Sequence, residues 1–154
     1  MKYFFDTEFI EDGKTIDLIS IGIIGEDGKK YYAISSEFDE SKANQWVKDN
    51  VISKLDNTPR KTRKQISSEI LKFVGENPEF WAYYADYDWV VLCQLYGRMI
   101  DLPKGWPMYC RDLKQLIDDR GNPEIKKQNE SEEHNALNDA QWVYETYVAL
   151  ALFS

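Results

Sequence analysis

The feature that most constrains the fold is the clustering of three strand-like runs within the first 35 residues of this 154-residue chain. KYFFD at 2–6, IDLISIGII at 16–24 and KKYYAIS at 29–35 are rich in aromatic and β-branched residues, and Gly25-Glu26-Asp27-Gly28 is a turn cluster between the last two. Such punctuation predicts three consecutive antiparallel strands. The period then changes. Trp46, Val47, Val51 and Leu55 suggest a broken helical piece, and Thr58-Pro59 reads as an N-cap followed by proline at the first helical position. Ile66, Ile70, Phe73 and Val74 keep a helical stripe that Gly75 would stop. FWAYYA at 80–85 reads as a buried strand running into a helix that ends at Gly97, and MYCRDL at 108–113 as a short strand running into a helix near Lys114–Asp118. GNPEIKKQNESEE is polar and reads as a mobile loop. A last helix should present Ala140, Val143, Tyr144, Tyr147 and Ala151 on one face. Strands first, then alternating helices and strands, describe an α/β fold, a mixed sheet flanked by helices, and the length suits one domain over 1–154.

Charge narrows the function. A net charge of −8 argues against a protein that coats nucleic acid through clustered Lys and Arg. It leaves open a protein that touches nucleic acid briefly, at a site where divalent metals invert the local field. The one dense basic run, Arg60-Lys61-Thr62-Arg63-Lys64, could steer a strand backbone, although such runs are more often a solvated helix face. MKYFFDTEF offers no signal-peptide core, and no stretch is apolar enough to span a bilayer. Cys93 and Cys110 lack metal-site spacing and read as buried free thiols of a cytoplasmic protein.

Three groups of residues carry possible chemistry. Asp6 and Glu8, two apart on the first strand, point to one face and would repel unless a cation lies between them. A hard divalent ion with oxygen ligands meets that need, although a solvated strand edge would also tolerate the pair. Asp88 and Asp86 both stand at the start of the helix after FWAYYA, where either could simply cap it. His134, the only histidine, precedes Asp139 at the mouth of the last helix, and a loop-borne imidazole can accept a proton from water.

Asp6-Thr7-Glu8, Tyr87-Asp88 after a strand, and His134 five residues before Asp139 together resemble the DEDDh 3′–5′ exonucleases of the ribonuclease-H-like superfamily. LISIG at 18–22 looks like that family's second-strand signature. The short length, the DTEF opening and YYADYDWVVLCQLYG are most similar to the polyadenylate-specific exoribonucleases of the RNase AS type. The resemblance implies a five-stranded sheet whose first three strands are antiparallel, with the site at the end of its central strand. It favours Asp88 over Asp86, because the family has an aromatic-Asp pair there. It also implies two Mg²⁺ or Mn²⁺ ions held by Asp6, Glu8, Asp88 and Asp139, with Asp6 bridging, Glu8 and Asp139 on the nucleophile side, and His134 as general base.

Phe9 and Ile10, directly after Glu8, are placed to wedge against terminal bases or else to pack in the core. Trp89 could likewise stack or pack. The implied substrate is the 3′ end of single-stranded RNA, adenylate-rich by the nearer likeness, and the implied assembly is a homodimer. A 3′–5′ DNA exonuclease and a catalytically silent nucleic-acid-binding module are the competing readings.

Overall fold

A computed structural model describes residues 1–152; Phe153 and Ser154, the last residues of the expected 1–154 domain, lie outside it. Three long runs make β1 (Lys2–Glu11), β2 (Ile16–Gly25) and β3 (Lys30–Ile34), each antiparallel to the next. β4 (Glu79–Ala82) pairs parallel with residues 2–4 of β1, and β5 (Arg111–Asp112) pairs parallel with β4. The sheet order is β3-β2-β1-β4-β5, so β1 is central. This is the mixed five-stranded α/β sheet expected of a ribonuclease-H-like chain.

Helices cover both faces because β1 is apolar on both. Tyr3 and Phe5 point to one side, where α2 (Arg63–Phe73) and α3 (Ala85–Gln94) bury Ile66, Ile70, Trp89 and Leu92 against them. Phe4 points to the other, against α4 (Leu113–Asp119) and α5 (Ala136–Leu152), with Tyr144 and Tyr147 ring centroids 5.2 and 5.0 Å from it. A third cluster joins Ile10 and Ile19 to Ala43 and Val51, which flank α1 (Gln45–Asn50). The broken helical piece is α1 between two short turns of tighter helix, Glu40–Lys42 and Ile52–Lys54.

Several boundaries differ from expectation. The second helix starts at Thr62 rather than Thr58: Thr62 and Gln65 form a reciprocal capping box, while Thr58 N–H donates to Asp56 in a tight turn. Between them Lys61 forms an isolated parallel bridge with Ser35 just past the end of β3, since Lys61 N–H donates to Ile34 O at 2.9 Å and Ser36 N–H to Lys61 O at 2.8 Å. The basic run is accordingly tied down, with Lys61 Nζ 2.7 Å from Glu69 and Arg60 stacked over Phe38. FWAYYA is strand only to Ala82; Tyr84 adopts left-handed φ 52° to turn the chain into α3. Trp89 packs in the core, its ring centroid 5.5 Å from that of Phe80. The loop expected to be mobile docks on α5, where Trp142 Nε1 donates to Lys126 O at 2.9 Å. On α5 the buried face runs through Ala136, Ala140, Val143, Thr146 and Leu150, while Ala151 is exposed. Cys93 is buried but Cys110 only half so, and both are free. Among the described residues no helix is long and apolar enough to cross a membrane.

Candidate active site

β1 outlasts its neighbour. β4 ends beside Phe4, so from Phe5 onward that edge of β1 has no strand partner among the described residues, and the carboxylates begin there. Asp6 and Glu8 project to the α5 face and Thr7 to the opposite, α3 face. Thr7 is buried, and its freed backbone N–H donates to Asp88 Oδ1 at 3.0 Å while its hydroxyl donates to the same oxygen at 2.5 Å. Asp88 is therefore no helix cap. It is 6% exposed and fastened to the residue between Asp6 and Glu8.

The cap of α3 comes from elsewhere. Asp112, on β5, accepts from Tyr84 N–H at 3.1 Å and Ala85 N–H at 3.2 Å, and it also caps α4 through Lys114 N–H at 2.8 Å. One carboxylate satisfies the orphan donors of two helix starts, which spares Asp88. Asp86 is exposed and takes no part in the cluster.

Asp139 arrives on α5. Asn135 caps that helix by accepting from Leu137 and Asn138 N–H, both at 3.1 Å. The helix start lies directly on Gly22, the β2 residue opposite Asp6. A Cβ built at Gly22 would stand 2.5 Å from Ala136 O and Leu137 Cα. Only glycine permits that approach. As a result, one oxygen each from Asp6, Glu8 and Asp139 lie within 4.8 Å of one another. Gln128 Nε2, from the docked loop, donates to Asp139 Oδ1. Asp6 and Asp139 line a cleft of about 370 Å³ walled by Tyr83, Trp142, Lys127, Glu130 and Glu133.

Burial of so many carboxylates has an electrostatic consequence. Asp6 is held well above the usual carboxylate range, first by burial and then by the charges of Asp88, Glu8 and Asp139. Burial, then Asp139, pushes Glu8 up to about 9. Burial raises Asp88 to about 7 against the lowering effect of its two bonds from Thr7. Asp139 is also raised by burial, opposed by Gln128, Glu8 and His134. Asp6 Oδ2 is buried with no hydrogen-bond partner among the described residues. An all-oxygen set with an orphaned buried oxygen fits a hard divalent cation. Asp6, Glu8 and Asp139 could hold one, with Asp88 close enough to add its charge.

His134 stands apart from that three-carboxylate group, in the turn before α5 with left-handed φ 66°. Its positive form lowers the Asp139 pKa, and its Nε2 is 3.9 Å from Glu133. Phe9 is half-buried and packs against the first core cluster, its ring centroid 6.1 Å from that of exposed Tyr87. Ile10 is 4% exposed and belongs to the third core cluster, so the expectation that it faces substrate is replaced by a packing role.

Thr7, Asp112 and Gln128 serve the site although the sequence did not single them out. Thr7 lay between two named carboxylates and could have been suspected; the others act across tertiary contacts that no local pattern announces.

A ribonuclease-H-like sheet with a carboxylate cluster on its central strand defines a class of nucleases. Residues 1–150 match the family model of the 3′-5′ exoribonuclease Rv2179c-like domain. Two relatives in Mycobacterium tuberculosis, the 3′-5′ exoribonuclease Rv2179c of strain H37Rv and the 3′-5′ exoribonuclease MT2234.1 of strain CDC 1551, are each 45% identical over 148 residues, covering 92% of this chain and 88% of theirs. The chain belongs to the Rv2179c-like 3′-5′ exoribonuclease family, a family of enzymes.

Proposed function

We propose that this chain, as a single domain, hydrolyses single-stranded RNA from its 3′ end by DEDDh chemistry, releasing nucleoside 5′-monophosphates and favouring adenylate-rich ends as RNase AS-type enzymes do. The observation that carries this reading is Asp6 Oδ2, buried and unpartnered among the described residues beside oxygens of Glu8 and Asp139. Family membership and the relatives' names support it.

Asp6, Glu8 and Asp139 would hold one Mg²⁺ or Mn²⁺, and Asp6 with Asp88 a second. Bound there, the ions supply positive charge against the phosphate, acidify water and offset charge on the leaving 3′-oxygen. The protein's own groups do the remainder. His134 accepts the proton of the attacking water at a ring nitrogen. Thr7 keeps Asp88 from rising further in pKa and so keeps it available as an anion. Phe9, with Tyr87 against it, offers apolar surface on which a terminal base can rest without sequence preference. Lys127 puts a cation into the wall of the cleft where the phosphate backbone would pass.

A cytoplasmic location and a homodimer, the latter from the family resemblance, belong to the same proposal. Sedimentation analysis of the purified chain tests the dimer.

The reaction is tested with 5′-labelled oligo-A and oligo-dA, each with Mg²⁺ and with excess chelator. Stepwise shortening of oligo-A, release of AMP and loss of activity in chelator are expected. Internal fragments, faster attack on oligo-dA, or full activity in chelator would contradict it.

A further inference from the structure

Trp46 is the second residue of α1, and no part of the proposed chemistry uses it. It is 53% exposed, although so large an apolar side chain is ordinarily mostly covered. Its ring meets that of His134 at a centroid distance of 4.9 Å and an interplanar angle of 83°. Near-perpendicular packing at this distance is the favoured contact between two aromatic rings.

The position of Trp46 is itself fixed. Asn44 caps α1 by accepting from Val47 N–H at 2.8 Å, and Asn50 Nδ2 donates to Trp46 O at 2.9 Å. Ala43 and Val51 on either side of the helix pack with Ile10 and Ile19, and Val47 packs against them. Ile10 lies two residues beyond Glu8 on the same strand. Packing therefore runs from the carboxylate strand through Ile10 into α1 and out to the Trp46 ring.

The His134 backbone is left-handed and bonds the Asp139 carboxylate, but its half-buried imidazole is held less firmly, since Glu133, 3.9 Å from Nε2, is adjacent in sequence. A proton acceptor must stay within hydrogen-bond reach of the water it serves, and a freely rotating imidazole spends little time there.

We infer that Trp46 is a positioning residue that holds the His134 imidazole against the carboxylate site from a different layer of the fold. The inference rests on the reading of His134 as general base.

The test is a double-mutant cycle on the full chain with Mg²⁺ and 5′-labelled oligo-A, comparing Trp46→Ala, Trp46→Phe, His134→Ala and Trp46→Ala/His134→Ala, with thermal unfolding of each. Trp46→Ala is expected to lower kcat about tenfold, a fraction of the roughly 10²–10⁴ that a positioned base contributes. KM should stay within about twofold, Trp46→Phe should recover most of the rate, and Trp46→Ala should cost nothing further in the His134→Ala background. Three results would overturn the inference: full kcat in Trp46→Ala, a raised KM at unchanged kcat, which would make the ring a base-stacking surface, or an equal loss with and without His134. If His134→Ala itself keeps wild-type activity, the general-base reading fails as well. An impaired His134→Ala beside an unimpaired Trp46→Ala removes only the positioning role. Trp46→Phe, which retains an aromatic ring, keeps the outcome decisive if the alanine variant is poorly folded.

Discussion

Asp6 is the residue on which the site turns, since one of its oxygens is buried with no hydrogen-bond partner among the described residues and it feels the charges of Asp88, Glu8 and Asp139. Asp6→Asn should cost at least three orders of magnitude in kcat/KM, by loss of an anionic oxygen that nothing else can replace, while Asp86→Asn should change it by roughly twofold or less. Steady-state kinetics on these variants and on Asp88→Asn checks this: Asp86→Asn should cost far less than Asp88→Asn, and equal losses at 86 and 88 would undo the assignment of the motif to Asp88. Thr7 matters through Asp88. Thr7→Val removes a hydroxyl donor that lowers the Asp88 pKa, so that pKa should climb further and the anion should form only at higher pH. Activity near neutrality should fall about tenfold and partly return as pH is raised; a loss equal at every pH would mean that Thr7 acts through packing alone.

At the scale of elements, the site is made by where strands stop and helices begin. β4 ends early and frees an edge of β1; Asp112 caps α3 and α4 together; Gly22 lets α5 lie against the sheet opposite Asp6. A methyl at Gly22 meets helix backbone rather than a movable side chain, so α5 must shift. Gly22→Ala should cost about 1–3 kcal/mol of stability by overpacking. It should also lower kcat about 100-fold by misplacing Asp139. Calorimetric unfolding and kinetics on the same sample check both, and a destabilised but fully active variant would show that this contact does not set the Asp139 position.

These contacts also explain what could be read from the chain alone. Alternation along KYFFDTEF and the turn at 25–28 are local signals, so three antiparallel strands and the shared face of Asp6 and Glu8 were legible. The capping box Thr62–Gln65 was equally local, yet Thr58-Pro59 offered a competing start that pairing with β3 overrode. Ile10 could not be placed, because a strand residue next to a site has two faces available and only the position of α1 decides between them. Asp112 and Trp46 act on segments distant in sequence, and no periodicity carries that information.

For the molecule as a whole, a net charge of −8 with a cluster of part-buried carboxylates makes stability depend on protons and cations together. Glu8 and Asp88 have folded pKa values above those of the unfolded chain, so the native state binds more protons than the unfolded one in the interval between. Stability of the metal-free protein should therefore decline as pH rises from the ordinary carboxylate range, through about 7 for Asp88 and about 9 for Glu8. Mg²⁺ should restore it, and by more at pH 8 than at pH 6, because binding to the native state alone stabilises that state. Melting curves across that range with and without Mg²⁺ check the trend; a metal-free protein whose Tm rises steadily to pH 9 would mean that the carboxylates are not strained by their mutual burial.

In the proposed mechanism the oxygens of Asp6, Glu8 and Asp139 form a divalent-cation site at the end of the central strand, with His134 beside it and not in it. Anomalous diffraction from crystals soaked in Mn²⁺ tests this arrangement. An anomalous peak coordinated by oxygens of Asp6, Glu8 and Asp139 at about 2–2.3 Å is expected, with neither nitrogen of His134 as a ligand. A peak ligated by His134, or an Mn²⁺-activated protein whose only peaks lie away from these three carboxylates, would contradict it.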